Sequence, residues 1–204
     1  MTRRAFLSLA AVGALGNPPD APVVVPVHRL INCRAKLRPR YLRKFSSVIW
    51  PETLRDFRKC GIELQISDDV GEIRRSPGGK PIFLGLRRDA VNLVVTDTIP
   101  LHWDGGRALK GVATMVDGCH LCVIALRYAH GHRIPLLSTN TCVHEMLHVF
   151  LQDIFVDRPS RLESEERELR IDWYATRLWL FGRDDEVRRS AEGYLRRCQM
   201  VRAS

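Results

Sequence analysis

Apolar residues recur at helical spacing in the longer segments of the chain and alternate with polar ones in the shorter segments. Residues 37–59 repeat apolar positions every three to four residues, which predicts a helix that Pro51 restarts. Period-two alternation predicts a strand over residues 62–66, and short β-branched runs predict strands over 91–96, 111–116 and 121–128. Turn-forming residues predict loops at 76–79 and 103–106.

The last third of the sequence is helical in pattern. Helices are predicted over residues 141–155, 161–181 and 184–197. The last of these begins with acidic residues and ends with Arg196 and Arg197, which complements the helix dipole. Strands followed by helices indicate an α+β fold, in which helices pack on a mixed sheet.

Composition and charge narrow the class of protein. The chain has 204 residues, 45% hydrophobic and 27% charged, as in one ordinary globular domain. No apolar run reaches the roughly 20 residues that cross a bilayer, so no transmembrane segment is expected. A net charge of +9 would attract anionic cell-envelope surfaces, although a solvated basic surface is the simpler explanation. Aromatic and basic residues do not interleave, so no specific nucleic-acid partner is expected.

The first residues have the pattern of an export signal. Arg3 and Arg4 precede a short apolar stretch over 5–15, and a proline-rich segment follows at 17–26. The Arg3-Arg4-Ala5-Phe6-Leu7 run resembles the twin-arginine export signal of bacteria. We therefore predict a signal peptide and linker over residues 1–26, a single domain over 27–204, and a periplasmic or secreted protein. Six cysteines permit disulfides in that compartment, but their spacing selects no pairing, and buried thiols fit equally well.

The strongest chemical signal is the run His144-Glu145-Met146-Leu147-His148. Residues four apart lie on one face of a helix, so both imidazoles can reach one Zn²⁺ at about 2.0–2.1 Å. Glu145 lies beside them, where it can accept a proton from a water on the metal. Apolar residues fill the rest of this helix, so the three polar side chains are expected to face a cleft.

The predicted helix over 161–181 offers a third ligand. Glu168 and Asp172 fall near the middle of its apolar arc on a helical projection, together with Glu165. Carboxylates buried there would be costly unless charge or metal compensates them. We therefore predict His144, His148 and Glu168 as zinc ligands, with Asp172 holding a ligand histidine through a hydrogen bond. Glu165 and Asp172 remain alternative third ligands, and a solvated acidic strip is the alternative to a metal site.

Residues 144–172 resemble the gluzincin metallopeptidases of thermolysin type. The motif His144-Glu145-x-x-His148, nineteen intervening residues and then Glu168-x-x-x-Asp172 carries the resemblance. It implies a compact zincin-like fold, zinc as cofactor, Glu145 as general base, and hydrolysis of a peptide or protein substrate. It also implies a sheet whose edge strand receives the substrate, for which residues 121–128 are the candidate.

The chain departs from that family in two ways. It is short, and no histidine follows His148 to stabilise an oxyanion. Tyr174 is the preferred substitute, and the other candidates are Tyr128, His132 and Arg177. Two other functions remain open, namely a catalytically silent zincin-like binding domain and an exported basic protein that binds polyanions.

Overall fold

The computed structural model describes residues 21–78, 80–99, 109–133, 139–152 and 161–203. Most of the predicted export signal, the predicted loop at 103–106 and the predicted helix end at 153–155 lie outside these residues. Within the described ranges no helix is both long and apolar enough to cross a membrane.

A six-stranded mixed sheet forms the centre of the described structure. Its strands are β1 (Val23–Asn32), β2 (Ile62–Arg75), β3 (Pro81–Leu84), β4 (Val91–Thr96), β5 (Gly111–Val116) and β6 (Cys119–Ala125). Their spatial order is β3-β2-β1-β4-β6-β5. The four central strands β2, β1, β4 and β6 are parallel, whereas β3 and β5 pair antiparallel at the two edges.

Helices cover one face of this sheet. The first helical segment, α1 (Pro39–Lys44), continues through a π-helical turn (Phe45–Ile49) into α2 (Trp50–Lys59) and connects the parallel strands β1 and β2. The C-terminal helices are α3 (Thr141–Phe150), α4 (Arg161–Phe181) and α5 (Asp185–Ala203). Phe150 lies between Phe57 and Tyr194, with ring centroids 5.5 and 5.8 Å away, and joins α2, α3 and α5 in one core.

A second apolar cluster covers the opposite face of the sheet. Leu30, Val94 and Leu121 point to that side, where Ile99 and Leu109 pack against them. Residues 97–99 after β4 and 109–110 before β5 therefore lie on the face that none of the described helices covers. The α+β class and the mixed sheet agree with the sequence prediction, but α1 and α2 lie between strands rather than after the sheet.

Several predicted boundaries need correction. Residues 23–26 were assigned to a linker because of their prolines, but they belong to β1, where Val23 and Val25 are buried. The predicted strand over 62–66 extends to Arg75, because residues 67–71 continue the pairing with β1 and residues 72–75 pair with β3, which the sequence did not indicate. Helix α3 ends at Phe150, since Gln152 adopts a left-handed conformation with φ 56°. The last helix continues to Ala203.

The predicted substrate-binding edge strand is wrong. Strand β6, which corresponds to residues 121–128, lies between β4 and β5 and is almost wholly buried. The edge strand on that side is β5, which is shorter and more exposed. A β-branched run indicates a strand but does not show which strands become its neighbours.

The six cysteines form no disulfide in the described part of the chain. Of the two alternatives that the spacing left open, the structure thus has thiols. Five of the six are buried, and burial raises the pKa of Cys142 and Cys122 well above the usual value for a thiol. These buried thiols belong to the core.

Candidate metal centre

Helix α3 is fixed at its start by an asparagine cap. The side-chain oxygen of Asn140 accepts hydrogen bonds from the backbone N–H groups of Cys142 (2.9 Å) and Val143 (3.3 Å). Its amide donates to the carbonyl of Ile49 at 2.8 Å, and the hydroxyl of Thr53 donates to its oxygen at 3.1 Å. The first turn of α3 is therefore tied to the π-helical turn and α2, which fixes the helix that carries both histidines.

Three side chains from α3 and α4 meet in one cluster. His144 Nε2 lies 2.9 Å from Glu168 Oε2, and His148 Nε2 lies 3.5 Å from Glu168 Oε1. The two imidazole Nε2 atoms are 3.2 Å apart. Among the described residues these three form the group of possible metal ligands, with their ligand atoms all within 4.8 Å of one another.

These separations fit a shared small cation. Two ligand atoms about 2.05 Å from one tetrahedral ion lie about 3.3 Å apart. The 3.2 Å between the two Nε2 atoms is close to that value, and each Nε2 atom lies 2.9–3.5 Å from one of the two oxygens of Glu168. Two imidazoles and a carboxylate are also the donor set of a catalytic zinc site, in which three protein ligands leave a fourth position open.

Asp172 and Thr139 orient the first histidine. Asp172 Oδ1 accepts a hydrogen bond from His144 Nδ1 at 3.0 Å and another from the hydroxyl of Thr139 at 2.9 Å. When His144 is neutral, a proton on Nδ1 leaves the lone pair on Nε2, the atom that faces Glu168 and His148. Although burial lowers it, the hydrogen bonds to Asp172 and Glu168 together raise the pKa of His144 to about 10. Burial raises the pKa of Glu168, but hydrogen bonds from the two histidines more than offset this and hold it well below its usual range.

Glu145 packs against the edge strand β5, and its carboxyl group interacts electrostatically with both histidines. Glu145 is only 7% exposed. Burial raises the pKa of its carboxyl group, although the nearby charges of His144 and His148 act in the opposite direction. Its side chain packs directly on Gly111, the first residue of β5, where a Cβ atom would lie only 2.6 Å from Glu145 Cγ. The carboxyl group is thus confined next to the cluster by a residue that has no side chain.

The predicted burial of the α4 carboxylates is wrong. The side chains of Glu168 and Asp172 are 45% and 54% exposed, because the face of α4 that packs in the core is narrower than the projection indicated. That core face consists of Ile171, Tyr174, Ala175 and Leu178. Three apolar residues of α4 face solvent: Leu169, Trp173 and Leu180. Glu165, the alternative ligand, is exposed and lies outside the cluster.

Tyr174, predicted as an oxyanion stabiliser, is not brought to the cluster. It packs in the core beside Arg170 and Glu186. Burial raises the pKa of its hydroxyl, and the hydrogen bond to Glu186 raises it further. The other candidates also have partners elsewhere. His132 bonds Asp56 and stacks on Trp179, Arg177 pairs with Asp184, and Tyr128 is on the surface.

Sequence reasoning missed three residues that shape the site, namely Asn140, Thr139 and Gly111. A helix-cap signal was present, since Asn140 directly precedes the periodic segment. Thr139 and Gly111 had no such signal, because their contacts with Asp172 and Glu145 depend on how distant elements pack.

Hydrogen bonds within the cluster can pair its polar atoms without a metal. A protonated His144 between Asp172 and Glu168 is also a closed network of charge-assisted hydrogen bonds. In that case the group would fasten α3 to α4 and do nothing more. Comparison with protein-family models, curated proteins and solved structures finds no match, so the residues themselves must distinguish the two.

Proposed function

We propose that this protein is a zinc-dependent peptidase that cleaves an amide bond with Glu145 as general base. The observation that carries this proposal is the position of Glu145. A structural metal site or a salt-bridge network needs no additional carboxylate. Here a buried carboxylate is held next to the His144/His148/Glu168 cluster, and a glycine on the neighbouring strand makes room for it.

Each residue of the site has a distinct role in this proposal. His144, His148 and Glu168 hold the metal, and Asp172 keeps the Nε2 lone pair of His144 directed at it. A zinc ion bound there would polarise the scissile carbonyl and lower the pKa of a water to near 7. Glu145 takes the proton from that water and passes it to the leaving amine.

Strand β5 is the proposed binding edge for the substrate. It pairs with β6 on one side, and its other side has no strand partner among the described residues. An extended peptide can add to such an edge through backbone hydrogen bonds. Because β5 begins at Gly111, against Glu145, a peptide paired there would pass the general base.

The metal is tested by elemental analysis of the purified protein. Wild type should contain one zinc per chain, and Glu168→Ala should lose it. Glu166→Ala is the matched control, since it removes an exposed carboxylate from the same helix outside the cluster. Zinc-free wild type that folds normally would favour the salt-bridge network and contradict the proposal.

Catalysis is tested with Glu145→Gln and a pool of fluorogenic peptides. The variant should keep its zinc and lose hydrolysis by a factor of about 10²–10⁴, the usual contribution of a general base. Stoichiometric zinc without hydrolysis of any peptide in wild type would favour the silent binding domain. Hydrolysis that survives Glu145→Gln would refute the role given to that residue.

A further inference from the structure

A crevice opens at the carboxyl ends of the two central strands, β1 and β4. These strands are parallel neighbours, but the chain leaves them toward opposite faces of the sheet. After β1 it enters the helices on one face, and after β4 it reaches Ile99, which packs on the other. Open parallel sheets bind ligands at such points, because the diverging connections leave a gap above the strand ends.

The crevice is an open cavity of about 290 Å³. Asn32 organises its floor: the amide donates to the hydroxyl of Thr96 at 3.1 Å, and the side-chain oxygen accepts from the backbone N–H groups of Arg34 (3.2 Å) and Ile73 (3.3 Å). One buried side chain therefore connects the end of β1, the end of β4 and the β2–β3 hairpin. Asn32 is 6% exposed, so this frame is part of the core.

The walls of the crevice are cationic. Arg34, Lys36 and Arg75 line it from two different segments of the chain. Arg34 pairs with Glu72 through Nε, which leaves its terminal nitrogens for another acceptor. Lys36 and Arg75 are exposed and have no ion-pair partner among the residues that the structure describes.

One wall of the crevice carries a carboxylate that is already paired. Asp97 lines the cavity, and its Oδ2 accepts from Arg127 at 2.9 Å. Its Oδ1 has almost no surface open to solvent, so it offers no contact to a ligand. The ion pair with Arg127 balances this negative charge, and the crevice keeps its three lining cations.

We propose that this crevice binds a small phosphate monoester. The phosphate lies among Arg34, Lys36 and Arg75, which reach it from two segments of the chain. The cavity is at the small end of the roughly 300–1,000 Å³ range of ligand sites, which suits an ester of three or four carbons better than a nucleotide. The site uses no residue of the metal cluster and is independent of the peptidase proposal.

Calorimetric titration of the full chain with glycerol 3-phosphate tests the site. We expect saturable binding of one ligand per chain, weakened about ten-fold by Lys36→Gln and by Arg75→Gln, since each removes a charged phosphate contact. Arg58→Gln is the control, because Arg58 is an exposed cation in the last turn of α2 and does not line the crevice. Thermal unfolding confirms that each variant is folded. No saturable binding, or an equal loss in Arg58→Gln, would overturn the proposal.

Two further ligands test the phosphate contacts and the source of the phosphate. Propyl phosphate should bind about as tightly as glycerol 3-phosphate, because the proposed contacts are all made to the phosphate; a failure to bind would refute them. Vesicles of phosphatidylglycerol test a lipid headgroup as the source. Binding that glycerol 3-phosphate displaces and Arg75→Gln weakens would assign the crevice to a headgroup. Vesicle binding that Arg75→Gln and the control Arg58→Gln reduce equally would be nonspecific and would exclude a lipid headgroup as the source.

Discussion

Gly111→Ala gives a sharp test of the site, because it disturbs Glu145 without touching a proposed metal ligand. The new Cβ would lie 2.6 Å from Glu145 Cγ and 2.7 Å from Cδ, whereas ordinary contact begins at 3.4 Å. Glu145 Oε1 would be closer still to the new Cβ, so the side chain must retreat by at least about 0.8 Å. Gly111 has no positive φ, so alanine brings no backbone strain of its own.

The displacement should appear in catalysis far more than in stability. A misplacement of about 1 Å at a reacting group costs about 10²-fold in rate, so we expect kcat for a peptide to fall by roughly that factor. Zinc content should not change, because the three atoms nearest to the new Cβ all belong to Glu145 and none belongs to His144, His148 or Glu168. Overpacking should cost about 1–3 kcal/mol of unfolding free energy.

The assay compares kcat, KM and zinc content for wild type, Gly111→Ala and Gly78→Ala. Gly78 is the matched control, since the nearest atom to a Cβ there is 3.9 Å away. Gly78→Ala should behave as wild type in all three measurements. A Gly111→Ala protein that is folded, holds zinc and retains the wild-type kcat would show that the position of Glu145 does not govern the reaction.

Three further predictions follow from contacts around the site and the core. Asp172→Asn should weaken zinc binding about 10–100-fold, measured by competition with a chelator; unchanged affinity would contradict its orienting role. Asn140→Ala removes the cap of α3 and should lower the unfolding free energy by about 0.5–2 kcal/mol in urea titrations, so an unchanged midpoint would argue against that cap. Burial, with Arg197 nearby, lowers the pKa of His120 in the folded chain below the ordinary 6.5. Stability should therefore be full above that value and fall as the pH drops below it, and His120→Gln should reduce the fall between about pH 7 and 5 in the same titrations.

The sequence indicated which residues of each helix lie side by side, because helical geometry alone constrains that. Four-residue spacing places His144 and His148 together whatever surrounds them, and the same spacing relates Glu168 to Asp172. Spacing does not specify whether α3 and α4 meet, or how α4 is rotated about its own axis. That rotation depends on which arc meets its neighbours, and it leaves the apolar residue Trp173 53% exposed.

The sheet shows the same division between local and distant information. The strands over 91–96 and 111–116 were predicted with their observed bounds, since local β-branched runs mark them. Their order was not, because the pairing of β1 with β2 and β4, and of β4 with β6, joins segments far apart in sequence. Pro26 concealed β1, although a valine stands on either side of it in the strand.

The cap of α3 also has a consequence for how the molecule assembles. Asn140 bonds the carbonyl of Ile49, 91 positions earlier in the chain. Forming a contact between such distant segments costs the entropy of closing a long loop. The helix that carries both histidines is therefore held in place by the packing of a segment that lies far away along the chain.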